Sequence, residues 1–285
     1  MNILSIQSSV AFGHVGNSAA VFPLQRLGHE VWPINSVQFS NHTGYGVWRG
    51  MVFPPEHLSD LVEGIAERGV LGQCNAVLSG YLGDAASGAV ILNALERVKA
   101  QNPDVLYCCD PVMGDEGRGL FVRPGIPEFF ATRALPHADI VTPNQFELEV
   151  LAGTKVTTLD EVVKAARALR ARGPKMVVVT SVRAPAADDG MLGSALISAD
   201  GAWLAQTPLL NLDPPRNGTG DVFASLFLGH LLSGIEPSEA LRRTVAALFA
   251  ILERTVAANS RELLLIAAQN EFVEPTAEVK LTRLY

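Results

Sequence analysis

The sequence predicts an α/β fold of three layers, α/β/α, around a mainly parallel central sheet. Two observations predict it: short β-branched apolar runs recur along the first two thirds of the chain, and helix-length segments separate most of them. A third supports it: the apolar runs end on Ser8, Ser79, Asp110, Thr142 and Thr180, all small polar residues. Strands alternating with helices form βαβ units, whose crossovers cover both faces of a parallel sheet.

Residues 2–7 read as a buried strand, 8–16 as a glycine-containing loop, and Asn17 as the N-cap of a helix over 18–27. A strand over 29–37 follows. The spacing then predicts a helix over 56–68, a strand over 76–79, a helix over 84–101 and strands over 104–109 and 139–142. A short helix over 145–152 precedes one over 159–172, begun by the cap-like Thr157 and Thr158, and a strand over 175–180. After Thr180 the pattern changes. Residues 191–198 and 202–207, joined by Ala199-Asp200-Gly201, read as an antiparallel hairpin. Helical spacing returns over 221–233, 237–258 and 261–269. No long linker, low-complexity segment or internal repeat interrupts this order, so residues 1–285 are expected to form a single domain.

The composition excludes several classes. With 48% hydrophobic and 18% charged residues, the 285-residue chain can bury a core that needs no staples and is not of the disordered type. A net charge of -7 argues against a nucleic-acid partner, whose phosphates attract a basic face. Cys74, Cys108 and Cys109 are odd in number and lack a framework spacing, which implies reduced thiols and a cytoplasmic protein. Cys108 and Cys109 lie inside an apolar run and are expected to be buried. The first five residues lack the features of a signal peptide, and no apolar run approaches the ~20 residues that span a bilayer, so no membrane association is expected.

In open parallel sheets, ligands bind outside the carboxyl ends of the strands. Ser8, Ser79-Gly80-Tyr81, Asp110, Thr142-Pro143-Asn144 and Thr180-Ser181 stand at those ends and should line one crevice. The most informative segment is Asn217-Gly218-Thr219-Gly220-Asp221, followed by an apolar helical run. Two glycines let successive N–H groups converge at a helix start, where they form an anion site. A carboxylate beside that site, Asp221, can accept a proton from an attacking hydroxyl, an arrangement suited to phosphoryl transfer. The same residues also suit an ordinary helix start with an acidic first turn.

Asp110, at the end of a buried strand, is costly without a cation or a hydrogen-bond partner. Asn144 and Glu147, three apart at a helix start, fit either a helix cap or, with Asp110, a sparse Mg²⁺ site that binds mainly through phosphates. The loop Phe39-Ser40-Asn41-His42-Thr43-Gly44-Tyr45-Gly46 is polar and aromatic, able to hold a ring or simply to turn in solvent. Neither a Gly-x-x-x-x-Gly-Lys-Ser/Thr loop nor a Gly-x-Gly-x-x-Gly, Gly-x-Ser-x-Gly or His-Glu-x-x-His motif is present, and no zinc spacing occurs.

Over almost its whole length the chain resembles the ribokinase-like superfamily and, within it, the pyridoxal kinases. Gly218-Thr219-Gly220-Asp221 marks the superfamily. Phe39-Ser40-Asn41-His42-Thr43 and Ser79-Gly80-Tyr81-Leu82-Gly83 are the segments specific to pyridoxal kinases; Gly13-His14-Val15-Gly16-Asn17, Asp110-Pro111-Val112-Met113-Gly114 and Thr142-Pro143-Asn144-Gln145-Phe146-Glu147 complete the match. The resemblance implies a ribokinase-like fold and a homodimer that makes pyridoxal 5′-phosphate from pyridoxal and ATP in vitamin B6 salvage.

It also implies residue roles. Asp221 would act as the base toward the 5′-hydroxyl, and the N–H groups of Gly218, Thr219 and Gly220 would hold the phosphoryl group. Ser8 would bind the pyridine ring; His42, Thr43 and Tyr81 would shape the vitamin pocket. Asp110 and Glu147 would serve Mg²⁺, while Asn144, Thr180, Ser181 and Thr219 would contact ATP phosphates. Asp115, Thr142 and Thr180 match positions that hold a monovalent cation, K⁺ or Na⁺, in some members. Position 180 is often Lys in bacterial relatives and is Thr here, and residues 183–190 match no pattern, so they are expected to form a mobile loop near the nucleotide. The competing readings are a hydroxymethylpyrimidine or sugar kinase, and a non-catalytic carrier of pyridoxal phosphate.

Overall fold

In the computed structural model residues 1–183 and 190–285 are described; between its two end residues, the expected loop over 183–190 lies outside them. The chain runs β1 (Asn2–Val10), α1 (Asn17–Arg26), β2 (Glu30–Phe39), β3 (Gly50–Val52), α2 (Pro55–Glu67), β4 (Cys74–Ser79), α3 (Ser87–Lys99) and β5 (Leu106–Cys109). A small hairpin, β6 (Gly114–Asp115) and β7 (Gly119–Leu120), and a helical turn, α4 (Ile126–Phe129), lead to β8 (Ile140–Val141), α5 (Gln145–Ala152), α6 (Leu159–Arg170) and β9 (Met176–Val182). Then come β10 (Met191–Ile197), β11 (Ala202–Pro208), α7 (Thr219–Leu232), α8 (Pro237–Ala257) and β12 (Lys280–Arg283).

Among the described residues, ten strands form one sheet in the order β12-β11-β10-β9-β8-β5-β4-β1-β2-β3. The central strands β9, β8, β5, β4, β1 and β2 are parallel, and the strands at both margins are antiparallel. Successive strand residues face opposite sides. In β1, Ile3 packs into a core with Leu24, Phe227 and Leu241 of α1, α7 and α8. Leu4 and Ile6 enter the opposite core with Leu58, Ile91, Leu148 and Val163 of α2, α3, α5 and α6. Burial on both faces is why these strands read as continuous apolar runs. β1 pairs with β2 on one side and β4 on the other, so the strand order reverses there and the crevice opens at its carboxyl end.

Several boundaries differ from the sequence expectation. β1 does not stop before Ser8: it continues to Val10, because Ser18 Oγ accepts the Val10 N–H (3.1 Å) and donates to the Val10 carbonyl (2.7 Å). Gly16, not Asn17, occupies the N-cap of α1. Asn17 turns inward instead, accepting from Ser5 Oγ (2.7 Å) and donating to the Ile34 carbonyl (3.1 Å) and Asn35 Oδ1 (2.8 Å). Asp84 forms a turn by accepting the Ala86 N–H, so α3 begins at Ser87.

The helix expected over 261–269 is absent. Ser260 Oγ donates to the Glu262 carbonyl and the Leu264 N–H bonds Thr255 Oγ1, side-chain bonds that compete with the helical ladder; only a four-residue 3₁₀ turn, Gln269–Phe272, forms nearby. The margin strands β3 and β12 and the β6–β7 hairpin span two to four residues each, too few to show a period. All three cysteines are buried and free, and among the described residues no helix is long and apolar enough to cross a membrane.

Asn17 is 4% exposed, and its amide joins β1 to β2 beneath the crevice. Asn17→Ala leaves the Ile34 carbonyl and the Ser5 hydroxyl without these partners. Urea unfolding should therefore show a loss of about 2–3 kcal/mol, whereas an unchanged midpoint would mean that the amide contributes nothing net.

Candidate active site

Asp110 follows the last residue of β5 and is 4% exposed. Its Oδ1 accepts the Thr142 hydroxyl (3.1 Å). Burial first, then the charges of Glu147 and Asp221, hold its carboxyl well above the usual carboxylate range. Glu147 is equally buried and completes a capping box: Asn144 Oδ1 accepts the Glu147 N–H, and Glu147 Oε2 accepts the Asn144 N–H, both at 2.9 Å. Its other oxygen accepts the Met113 N–H (2.8 Å), and Asn144 Nδ2 donates to the Gly114 carbonyl (2.8 Å). Burial raises the Glu147 pKa while these N–H groups oppose the rise. Of the two readings offered by the sequence, the structure shows the helix cap.

The start of α7 faces these carboxylates. Gly218 takes a left-handed conformation (φ 86°), and no side chain caps the helix, so its first N–H groups are available to an anion. A Cβ on Gly218 would overlap the His14 carbonyl, and one on Gly220 would stand 3.8 Å from Asp110 Oδ2. Asp221, half-buried, accepts the N–H of Gly16 and its own N–H; desolvation outweighs these bonds and pushes its pKa up to about 6. The structure thus brings Asp110, Thr142, Asn144, Glu147 and the segment 218–221 together.

On the flank, the Thr180 N–H bonds the Pro143 carbonyl (2.9 Å) and Thr180 bridges Asn144. Ser181 is exposed in the left-handed region (φ 55°), where a non-glycine residue costs on the order of 1 kcal/mol. Asp115 accepts three side-chain bonds from Arg118 of its own hairpin, two of them from Nε at 3.0 and 2.9 Å and the third from a terminal guanidinium nitrogen.

At the other end of the crevice, Ser8 is buried directly beneath Gly16, where any Cβ would overlap it. His42 closes a single 3₁₀ turn, Thr43–Tyr45, by accepting the Gly44 N–H on Nδ1 (3.1 Å); Thr43 itself is exposed. Burial lowers the His42 pKa, and the nearby charge of Arg118 lowers it further, so the β6–β7 hairpin reaches toward this loop. Tyr81 packs against Val10, Val15, Val37 and Phe39. Gly44 approaches the Asn217 amide, so the loops after β2 and before α7 meet.

Sequence reasoning assigned no role to Gly16, Arg118, Arg261 or Glu262. Gly16 could have been found, since its segment is part of the family resemblance; the others belong to no motif. Among the described residues no cluster of three or more His, Cys, Asp and Glu side chains is set to hold a metal.

Residues 34–263 match the family described as phosphomethylpyrimidine kinase. Pyridoxal kinase PdxY of Rubrobacter xylanophilus is 56% identical over 285 residues, covering 100% of this chain and 98% of that protein. The Deinococcus radiodurans pyridoxal kinase PdxY is 53% identical over 278 residues, 96% of this chain and 93% of the relative. Pyridoxal kinase from Leishmania donovani, solved in complex with ADP and pyridoxamine, has a TM-score of 0.89 at 32% identity and covers 100% of this chain and 99% of its own. The Trypanosoma brucei pyridoxal kinase has a TM-score of 0.88 at 30% identity, with 99% of both chains covered. With 56% identity over its full length to a pyridoxal kinase PdxY and full-length superposition on the solved Leishmania donovani enzyme, this chain belongs to the pyridoxal kinase family.

Proposed function

We propose that this chain moves the γ-phosphoryl group of ATP to the 5′-hydroxymethyl oxygen of pyridoxal, giving pyridoxal 5′-phosphate and ADP in vitamin B6 salvage. Asp221 at the start of α7 carries this reading: one carboxylate stands at a helix start that no side chain caps, beside the N–H groups of Gly218, Thr219 and Gly220. In the reaction the N–H groups of Gly218, Thr219 and Gly220 hold the transferring phosphoryl group. Asp221 receives the hydroxyl proton as the new O–P bond forms and the bond to ADP breaks. Ser8 holds the pyridine ring, and His42, Thr43 and Tyr81 bound it. Asn144, Thr180, Ser181 and Thr219 contact the ATP phosphates. A cytoplasmic homodimer is part of the same reading and rests on the family resemblance.

The donor set fits Mg²⁺ unevenly. Asp110, buried with one side-chain hydrogen-bond partner, fits a cation's first ligand. Glu147 has both oxygens engaged by backbone N–H groups, so it fits contact through water. When bound, the metal neutralises charge on the phosphates. A monovalent ion at Asp115, Thr142 and Thr180 fits less well, because Asp115 holds Arg118 and the Thr142 hydroxyl holds Asp110.

The test is turnover with ATP-Mg²⁺ on pyridoxal, pyridoxine, pyridoxamine, hydroxymethylpyrimidine and ribose. Pyridoxal should be phosphorylated with the highest kcat/KM. Hydroxymethylpyrimidine as the best substrate would favour the activity after which the matched family is described, and tight binding of pyridoxal phosphate without any ADP release would favour a carrier.

Asp221→Asn removes the proton acceptor and should lower kcat by about 10²–10⁴-fold with ligand affinity retained. Wild-type turnover should fall as pH drops through about 6, as Asp221 becomes protonated.

The same carboxylate opposes folding at neutral pH. Its folded pKa of about 6 lies above the ordinary value of about 3.9, so the folded state binds more protons between those values and stability declines as pH rises through them. Ligand-free Asp221→Asn should therefore melt higher than wild type at pH 8, by up to roughly 3 kcal/mol, with the advantage vanishing near pH 4. An equal difference at both pH values would exclude a shifted Asp221.

Gly218→Ala forces a left-handed alanine onto the His14 carbonyl. It should cost more than about 1–2 kcal/mol in thermal unfolding and abolish most turnover. Near-normal values of both would show that the anion loop does not need this conformation.

A further inference from the structure

The segment after α8, expected to be helical, instead places Arg261 and Glu262 where three loops of the crevice meet. Glu262 Oε2 accepts the His14 N–H (3.0 Å), and its Oε1 accepts the Tyr45 hydroxyl. Arg261 lies 3.6 Å from the centroid of the Tyr45 ring and donates to the Gly44 carbonyl (3.0 Å). Leu263 lies 3.6 Å from where a Gly218 Cβ would stand, and a Cβ on Gly13 would overlap the Glu262 carboxylate. Arg261 and Glu262 therefore touch the loop after β1 and the loop after β2, and the adjoining Leu263 lies beside the anion loop before α7.

We propose that Glu262, with Arg261, is a positioning latch that holds the His42–Tyr45 turn over the acceptor end of the crevice and fixes the Gly13–Gly16 loop behind Asp221. Neither residue touches the reacting atoms. Through Tyr45 and Gly44 they hold the turn that carries His42 and Thr43. Through His14 they hold the loop whose Gly16 N–H donates to Asp221. Charge-assisted hydrogen bonds and a close cation–π contact are the interactions suited to this, since both resist exchange with water. The carboxylate is the hub because two donors from different loops need two acceptor oxygens with fixed separation.

This rests on the phosphotransfer reading above, so the test has one arm that does not. Tyr45→Phe removes one donor and should raise KM for pyridoxal roughly tenfold. In that variant kcat and KM for ATP should stay within about twofold. Glu262→Ala frees both loops and should raise KM for pyridoxal by at least as much, lower kcat as well, and leave KM for ATP near wild type. Glu262→Gln keeps one acceptor oxygen and should fall between the two. The independent arm is amide hydrogen exchange on ligand-free protein: Glu262→Ala should deprotect residues 11–16 and 40–46 while the strands of the central sheet keep wild-type protection. Equal rises in KM for both substrates, or an unchanged pyridoxal KM in Glu262→Ala, would overturn the latch. So would unchanged exchange in both loops. If wild type itself failed to phosphorylate pyridoxal, the substrate assignment would fall, and the exchange result would still decide the latch.

Discussion

Three carboxylates, Asp110, Glu147 and Asp221, are withdrawn from water near the start of α7, and the cost of desolvating them, raised at Asp110 by the charges of the other two, is the constraint around which the site is arranged. Isolated from solvent, each would take a proton. The surroundings answer unequally. Glu147 receives backbone N–H groups from both the β5–β6 connection and its own helix cap, Asp221 receives Gly16, and Asp110 receives one hydroxyl. Asp110 is consequently the group with most to gain from a cation, while Glu147 is pushed up to about 7 and Asp221 to about 6.

A protein with a net charge of -7 that binds a polyanion must supply positive potential locally. Here it comes from backbone: the uncapped start of α7 is directed at the crevice by a left-handed Gly218 pressed against the His14 carbonyl. Side-chain cations near the crevice are largely spoken for. Arg118 is paired with Asp115, and Arg261 is stacked on Tyr45. The close approach of backbone to backbone at Gly218 and of Gly16 to Ser8 explains why glycines, not charged residues, dominate the motif.

The parallel core was legible because burial on both faces writes a strand as an unbroken apolar run and its crossover as a periodic helix. Ser79, Asp110 and Thr142 were legible for the same reason, since they stand where such runs end, whereas Ser8 lies inside β1 and Thr180 and Ser181 inside β9. What was not legible depended on contacts distant in sequence. Asn17 looked like a helix cap, since Asn favours that position locally, but its amide is needed to join β1 and β2. Residues 261–269 carry helical composition, yet the Thr255 hydroxyl and Ser260 redirect the chain. Short margin strands have no period to read. The assignment of a vitamin end rests on resemblance alone, because a polar aromatic loop has no chemistry-specific spacing.

The two ends of the crevice differ in what holds them. The phosphate end is built on strand termini and a helix start, each embedded in the two cores, so its geometry follows from folding itself. The acceptor end is carried by a loop whose Thr43, Gly44 and Gly46 are exposed and whose single 3₁₀ turn has little burial to order it. Ordering such a segment needs specific directional bonds, and the structure provides them from Arg261 and Glu262, more than two hundred residues away in sequence. A redirected chain after α8 is what makes that anchor possible: a continuous helix over 261–269 would have fixed Arg261 and Glu262 about 100° apart, with only one of them facing the loops.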